Sequence, residues 1–273
     1  MANTLENWLR AAPLPLPEAR ILLQHCTGLS RVQLLTRGRD ALGGDNEAAL
    51  AALVQRRLAG EPMAYIVGVR EFYGRTFIVN DAVLIPRPET EHLVEAALAR
   101  LPPQGRLWDL GTGSGAVAVT VALERPDVHV RASDISADAL AVAARNAASL
   151  GAKLEFAQGS WFAVDRPSET QAYDVVVSNP PYIEAGDVHL QQGDLRFEPQ
   201  QALTDFGDGL SCLRALAAGA PHVLKAGGWL LLEHGYNQGE AARALLVQHD
   251  FVEVATLPDL AGLDRITLGR KPA

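Results

Sequence analysis

Four consecutive residues, Asn179-Pro180-Pro181-Tyr182, are the first candidate for chemistry in this 273-residue chain. They follow the apolar run 173–178, which reads as a buried strand of a parallel sheet. That places them at the carboxyl end of a strand, where open α/β sheets bind ligands. The Asn oxygen accepts a hydrogen bond from an NH2 group. The two prolines fix φ and leave carbonyls without a competing local N–H. The Tyr ring offers a flat face to a planar group. Together they suit a planar substrate that carries an NH2. Asn-Pro and Pro-Pro are also common turn residues, and a Tyr behind them also fits a core. A second motif is needed before the tetrapeptide reads as a site.

Upstream, Leu107-Trp108-Asp109-Leu110 is a short apolar strand containing an acid, and it runs into Gly111-Thr112-Gly113-Ser114-Gly115. Residues 116–123 then read as a helix. Glycines at a helix start let backbone N–H groups come close to a ligand. Gly111-x-Gly113-x-x-Ala116 also fits the dinucleotide fingerprint, and Asp134, after a second strand at 128–133, stands where a ribose-binding acid is expected. A nicotinamide cofactor and S-adenosylmethionine both carry an adenosine ribose, and these residues alone do not separate them. Two features favour S-adenosylmethionine. Asp109 is placed to answer the ammonium of a methionine moiety and would repel a pyrophosphate. In addition, no hydride-transfer acid/base pair is visible, whereas an NH2-binding Asn suits methyl transfer to nitrogen.

The glycine loop, Asp134 and Asn179 to Tyr182 together resemble class I S-adenosylmethionine-dependent methyltransferases of the amino-methylating branch. Further stretches narrow the resemblance. They are Gly68-Val69-Arg70-Glu71-Phe72-Tyr73-Gly74, Ile85-Pro86-Arg87-Pro88-Glu89-Thr90-Glu91, Glu198-Pro199-Gln200-Gln201-Ala202-Leu203, Asp208-Gly209-Leu210 and Asp259-Leu260-Ala261-Gly262. With them the chain resembles the PrmC/HemK family, which methylates a glutamine side-chain nitrogen in the Gly-Gly-Gln loop of class I peptide chain release factors. The resemblance is strong from Gly68 onward and weaker in the amino-terminal helices. Two stretches depart from the family pattern. Ser160 precedes Trp161 where an acid is common, and Thr204-Asp205-Phe206-Gly207 replaces a glycine pair.

The resemblance implies roles. Asn179 and Pro180 are the catalytic residues, and Asn179, Pro180, Pro181 and Tyr182 bind the substrate amide. The cofactor is S-adenosylmethionine, held by Asp109, Gly111, Thr112, Gly113, Ser114, Gly115, Asp134, Trp161 and Asn179, with Trp161 beside the adenine. S-adenosylhomocysteine and N5-methylglutamine are the products. Packing alone is the competing account of Trp161 and Tyr182. Glu89 suits a helix start, and Glu198 a structural loop carboxylate. The runner-up activity is methylation of a nucleic-acid amine, adenine N6 or guanine N2.

Composition sets bounds on these readings. Net charge is −8, which argues against a broad phosphate-binding surface and against a nucleic-acid substrate. Residues 1–75 carry a net +2 and the remainder −10. The basic share reads first as solvated surface and second as a face for an acidic protein partner. No apolar run is long enough for a bilayer, and the first residues lack signal-peptide features. Cys26 and Cys212 are far apart in sequence, and the seven histidines are scattered, so neither a disulfide nor a metal cluster is expected. These features lead us to expect a cytoplasmic monomer that uses no metal and no membrane.

The elements that must position the motifs follow from periodicity. Helices are expected at 4–11, 17–26, 31–36 and 46–59, with Ser30 and Asp45 as caps. A hairpin is expected from strands 64–69 and 75–79 around Tyr73-Gly74. Beyond 88, strands at 106–110, 128–132, 154–157, 174–178, 229–233, 252–257 and 265–269 alternate with helices. This alternation predicts an α/β fold with a doubly wound, mostly parallel sheet, and the resemblance makes it seven-stranded. The expected divisions are a helical substrate-recognition domain at 1–62, a β-hairpin linker at 63–87 and a methyltransferase domain at 88–273.

Overall fold

The computed structural model describes residues 3–164 and 172–273. It divides into two units, one ending at Gly68 and one beginning at Val69.

The first unit is helical. Helix α1 (Leu5–Ala11) is capped by Thr4, whose hydroxyl accepts from the Asn7 N–H at 3.2 Å. Helix α2 (Leu16–Thr27) carries Pro17 in its first turn and stops at Gly28, which takes φ 67°. Helix α3 (Arg31–Thr36) has a reciprocal capping box between Ser30 and Gln33. Helices α4 (Gly44–Leu58) and α5 (Met63–Val67) complete the unit around Leu5, Leu22, Leu23, Leu34, Leu50 and Ile66. Arg57 ties α4 to α2 through two hydrogen bonds to Glu18, at 2.7 and 2.9 Å.

Two local expectations fail here. Helix α4 starts at Gly44, so Asp45 lies inside its first turn, where an acid still favours the positive helix end. Residues 63–67 are a helical turn rather than a strand. Pro62 presets the entry φ at −55°, and Gly68 stops the turn in the left-handed region at φ 76°.

The second unit opens with a hairpin, β1 (Val69–Phe72) and β2 (Arg75–Ile78). Tyr73 and Gly74 both take positive φ, 51° and 71°, as a tight two-residue hairpin turn requires. A seven-stranded sheet follows. In chain order its strands are β3 (Arg106–Leu110), β4 (His129–Asp134), β5 (Glu155–Gln158), β6 (Tyr173–Ser178), β7 (Leu224–Glu233), β8 (Val252–Pro258) and β9 (Asp264–Arg270). Their spatial order is β5-β4-β3-β6-β7-β9-β8. Pairings among β5, β4, β3, β6 and β7 are parallel, and β9 runs antiparallel to both of its neighbours. This is the expected doubly wound, mostly parallel sheet. Its strand order reverses between β3 and β6, which is where such sheets open a crevice.

Alternation along the strands feeds two cores. Leu107, Val175 and Val177 pack with helices α6 (Glu91–Leu98) and α7 (Ala116–Glu124). Trp108, Leu110 and Val176 face the other way, toward α10 (Ser211–Gly219) and α11 (Gly239–Gln248). Helices α8 (Ala137–Leu150) and the short α9 (Gln200–Leu203) complete the set. No described helix is long and apolar enough to cross a membrane.

Asn146 on α8 joins three parts of this unit. Fully buried, it accepts from the Ile78 N–H at 2.7 Å and donates to the carbonyls of Ile78 at 3.0 Å and Ser114 at 2.8 Å. Asn146→Ala strands an N–H and two carbonyls away from water. We predict a loss of about 2–4 kcal/mol of stability. Urea unfolding measures it, and a loss below about 1 kcal/mol contradicts this account.

Candidate active site

The carboxyl ends of β3, β4 and β6 open into one cleft, with about 1070 Å³ of empty space including its mouth. Asp109, Gly111, Thr112, Gly113, Ser114, Asp134, Trp161, Asn179 and Pro181 all line it. Gly115, Pro180 and Tyr182 do not line it.

The glycine loop is shaped by its own backbone. Gly111, Gly113 and Gly115 take φ of 72°, 56° and 82°, a region that L side chains rarely adopt. Their N–H groups are engaged within the protein. Gly111 and Thr112 both donate to the Ser133 carbonyl, at 2.9 and 3.0 Å, Gly113 donates to Asp134, and Gly115 donates to Thr112. The loop therefore contributes close approach more than free donors. A Cβ on Gly113 would meet nothing within 4 Å, so a ligand can lie directly against that backbone. Gly115 has a packing task, since a Cβ there would sit 3.1 Å from the Ala143 side chain on α8.

Asp109 is 2 % exposed. Both of its donors, the Thr112 hydroxyl at 2.7 Å and the Ala118 N–H at 3.3 Å, address Oδ2. Burial pushes this carboxyl up to about 7, against the pull of those two donors, and the Asp134 charge adds to the rise. Asp134 ends β4 and receives one backbone donor on each oxygen, Gly113 on Oδ2 and Ser136 on Oδ1, both at 2.9 Å. Each of its oxygens keeps room for a second donor. Burial raises its pKa as well.

Trp161 follows β5 in a helical turn with φ 44°, an unusual value for a bulky side chain. Its ring lies 3.4 Å from where a Gly111 Cβ would be. The ring thus forms a wall beside the glycine loop and also packs against the core on the α10–α11 face.

Asn179 follows β6, and the Ser178 hydroxyl bonds the Leu110 carbonyl at 2.7 Å, so the ends of β6 and β3 are locked side by side. Asn179 Nδ2 donates to Thr90 Oγ1 at 3.1 Å. The amide NH2 thus has a protein partner, and its oxygen is the group left for a ligand. Pro180 is buried behind it. The Tyr182 carbonyl accepts from Gln238 Nε2 at 2.9 Å, and its phenol lies near Arg265, with burial raising the phenol's pKa. Tyr182 here fastens the loop from behind.

Sequence reasoning missed Thr90 as a site residue. It also missed Val83, Leu84 and Ile135, which line the cleft without a motif to mark them, and Gln201, which lies in the Glu198–Leu203 stretch. Glu198 is 3 % exposed and clamps the segment before Thr90, accepting from the Ile85 N–H at 3.0 Å and pairing with Arg87. That is the structural loop role expected of it. Among the described residues, no group of three or more His, Cys, Asp or Glu is arranged to hold a metal ion.

Comparison with known proteins agrees with this geometry. Residues 3–68 match the family model "PrmC N-terminal domain", and residues 89–208 match "Methyltransferase small domain". The chain is 66% identical over 267 residues to the release factor glutamine methyltransferase of Neisseria gonorrhoeae, covering 98% of this chain and 97% of that one. It is 51% identical to the protein of that name from Bordetella pertussis, with 97% and 98% covered. The Escherichia coli protein of that name is 44% identical, with 97% and 98% covered. Among solved structures, a methyltransferase from Pyrococcus furiosus shares the fold with a TM-score of 0.56 at 15% identity, covering 85% of this chain and all of that one. The sheet, the cleft and these relatives agree: this chain belongs to the release factor glutamine methyltransferase family.

Proposed function

We propose that this protein transfers a methyl group from S-adenosylmethionine to the side-chain nitrogen of a glutamine in a class I release factor, giving N5-methylglutamine. The observation that carries the reading is the Asn179 amide. It stands in the same cleft as Asp109 and Asp134, its NH2 engaged by Thr90, and its oxygen available to a substrate NH2.

The cleft residues fit S-adenosylmethionine. Asp134 has acceptor capacity for two ribose hydroxyls. Asp109 is a buried carboxyl without a cationic partner among the described residues, and its charged form gains most from an ammonium. Gly113 leaves its flank open, and Trp161 offers a flat face to an adenine. When bound, this group supplies an electrophilic methyl on a sulfonium.

A glutamine amide is a poor nucleophile because its lone pair is shared with the carbonyl. We assign the acceptance of its two hydrogens to Asn179 Oδ1, at the cleft, and to the carbonyl of Pro180, whose residue is buried behind Asn179, and together they turn the lone pair toward the methyl group. They also stabilise positive charge as it develops on the nitrogen. No strong base is needed before transfer, because the methylated nitrogen is acidic enough to release its proton afterwards. Positioning at near-attack geometry contributes at most about 7–11 kcal/mol. We assign release factor recognition to the amino-terminal helical unit and take the enzyme to act as a cytoplasmic monomer.

Incubating the protein with labelled S-adenosylmethionine and a release factor, DNA or RNA tests the reading. A single methyl on the release factor glutamine, found by mass spectrometry, is the expected result. Label in nucleic acid alone refutes it. Asn179→Ala is expected to lower turnover by at least about a hundredfold, the scale of losing one transition-state hydrogen-bonding group. Cofactor affinity by calorimetry should stay within about twofold, since Asp109 and Asp134 remain. Asp134→Ala should weaken cofactor affinity by about tenfold or more, the cost of removing a charged hydrogen-bond acceptor.

Asp109 also predicts a pH dependence. An ammonium ligand needs the carboxylate, and the free protein holds this group at about 7. Binding therefore releases a proton, so affinity is full above about pH 7 and falls as pH drops through it. The expected loss is about tenfold between pH 7.5 and 6. Asp109→Asn should bind more weakly and lose that slope, and a slope that persists in the variant excludes Asp109 as its source.

A further inference from the structure

The segment Ile85–Glu91 reads in sequence as little more than a helix start. In the structure its Thr90 stands between two groups that matter. Thr90 is 5 % exposed, closes the helical turn Pro88–Thr90 before α6, and lines the cleft. On one side its Oγ1 accepts from Asn179 Nδ2 at 3.1 Å. On the other it faces the carboxyl of Glu233, the last residue of β7, whose charged form it favours. Glu233 is 1 % exposed, and its Oε2 is buried with no hydrogen-bond partner among the described residues. A buried, half-satisfied acid is costly to keep. The reaction scheme above gives it no task.

We propose that Glu233 and Thr90 are positioning residues that set the direction of the Asn179 amide, so that its oxygen and not its NH2 faces the glutamine substrate. This rests on the function proposed above. The logic is a count of protons. A hydroxyl has one proton to give, and a carboxylate only accepts. With Glu233 ionised, the Thr90 proton is committed to it. Only a donor can then approach Thr90, and the donor end of Asn179 is its NH2. The amide is held with Oδ1 toward the cleft, ready to accept from the substrate.

A proton on Glu233 reverses the chain. The carboxylic acid donates to Thr90, which frees the Thr90 proton for the Asn179 oxygen. The amide then presents its NH2 to the substrate NH2, and the two donors cannot bond. The charged groups around Glu233 are Arg87 and Glu89 from the turn before α6, Arg265 from β9 and the Tyr182 phenol from the loop after β6. Burial is the largest influence and raises Glu233 to about 7, helped by Glu89 and opposed by Thr90, Arg265 and Arg87. The relay thus changes state near neutral pH. Stability linked to this acid has the opposite sign from that of a paired surface carboxylate. Its raised pKa stabilises the fold at low pH, and that contribution is lost as pH rises through about 7.

The experiment measures kcat at saturating S-adenosylmethionine, with a class I release factor as substrate, for wild type, Thr90→Val, Thr90→Ser and Glu233→Gln. Cofactor affinity and thermal melting are measured in parallel. Thr90→Val keeps the shape and removes the relay; its kcat should fall by about 10–100-fold, the range for a misdirected hydrogen bond at the reacting group. Thr90→Ser should stay within about threefold of wild type, because it keeps the hydroxyl. Cofactor affinity should stay within about twofold throughout. Wild-type kcat should fall as pH drops from about 8 to 6, and Glu233→Gln should be slower and flat over that range. Because cofactor is saturating, the Asp109 titration does not enter this kcat profile.

The relay is overturned by any of four results: Thr90→Val within twofold of wild type, Thr90→Ser as slow as Thr90→Val, cofactor affinity falling in step with kcat, or a low-pH limb that survives in Glu233→Gln. If Thr90→Val does not fold, the Glu233→Gln profile decides, since it leaves Thr90 in place. A wild-type protein that methylates no glutamine overturns the proposed function itself, and is told apart from a relay failure by that control.

Discussion

Parallel pairing of β6 with β3 is the constraint from which the rest of the site follows. Asp109 stands level with Val177 across the pair, and the Ser178 hydroxyl holds the Leu110 carbonyl at the end of it. Both chains leave the sheet at the same height. One turns into the glycine loop and the other into Asn179. A shift of one residue in this register would turn Val175 and Val177 out of the core they share with α6 and α7, and Val176 out of the opposite one. The hydrophobic cores on the two faces therefore also fix the spacing between the glycine loop and Asn179. The same strand pair marks the reversal of sheet order, so the loops diverge there and leave room for a ligand.

Around that pair, acids recur near the strand ends, with Asp134 and Glu233 two residues beyond the level of Asp109. Asp109 in β3, Asp134 at the end of β4 and Glu233 at the end of β7 all stand at carboxyl ends, and burial raises all three. A protein that only needed stability would pair or replace them. Their surroundings instead leave acceptor capacity directed inward. Asp134 keeps lone pairs beyond its two backbone donors, and Asp109 has no cation beside it among the described residues. Where a carboxylate has a purely structural task, as in Glu198, it is paired with Arg87 and a backbone N–H. The contrast between Glu198 and the three strand-end acids separates scaffold from site more clearly than burial alone does.

Much of this was legible in the sequence because the informative residues sit next to strong local signals. Asp109, the glycine loop, Asp134 and Asn179 each adjoin an apolar run whose period marks a strand. Seven strands were placed within a few residues for the same reason. The helical turn at 63–67 was not legible, because Tyr65 and Ile66 as neighbours mimic a short strand. The deciding signals were Pro62 before the turn and Gly68 after it. Tyr182 reads in sequence as a face for the substrate, and the structure adds an anchor for its carbonyl on Gln238. Thr90 was hidden most deeply. It lies 89 residues from Asn179 in the chain, and only the packing of α6 against the sheet brings the two together. One overlooked cue did exist, since Glu233 ends an apolar run just as Asp134 does.

The Asn179 environment also explains why an Asn, rather than an Asp, suits this position. An Asp there would add a fourth carboxylate near Asp109, Asp134 and Glu233, and mutual repulsion would favour its protonated form. A protonated acid has one proton to place and two oxygens that can carry it, so its acceptor end is not fixed. An amide cannot move its protons between its ends. Once Thr90 takes the NH2, the oxygen has one direction left. A carbonyl-type acceptor of fixed direction suits a substrate whose hydrogens must be held while its lone pair is exposed. The uncharged amide meets that need without adding a further carboxylate to the cleft that Asp109 and Asp134 already line. In the proposed transfer the work divides by charge, with Asp109 and Asp134 beside the methyl donor and a neutral, oriented amide at the point of transfer.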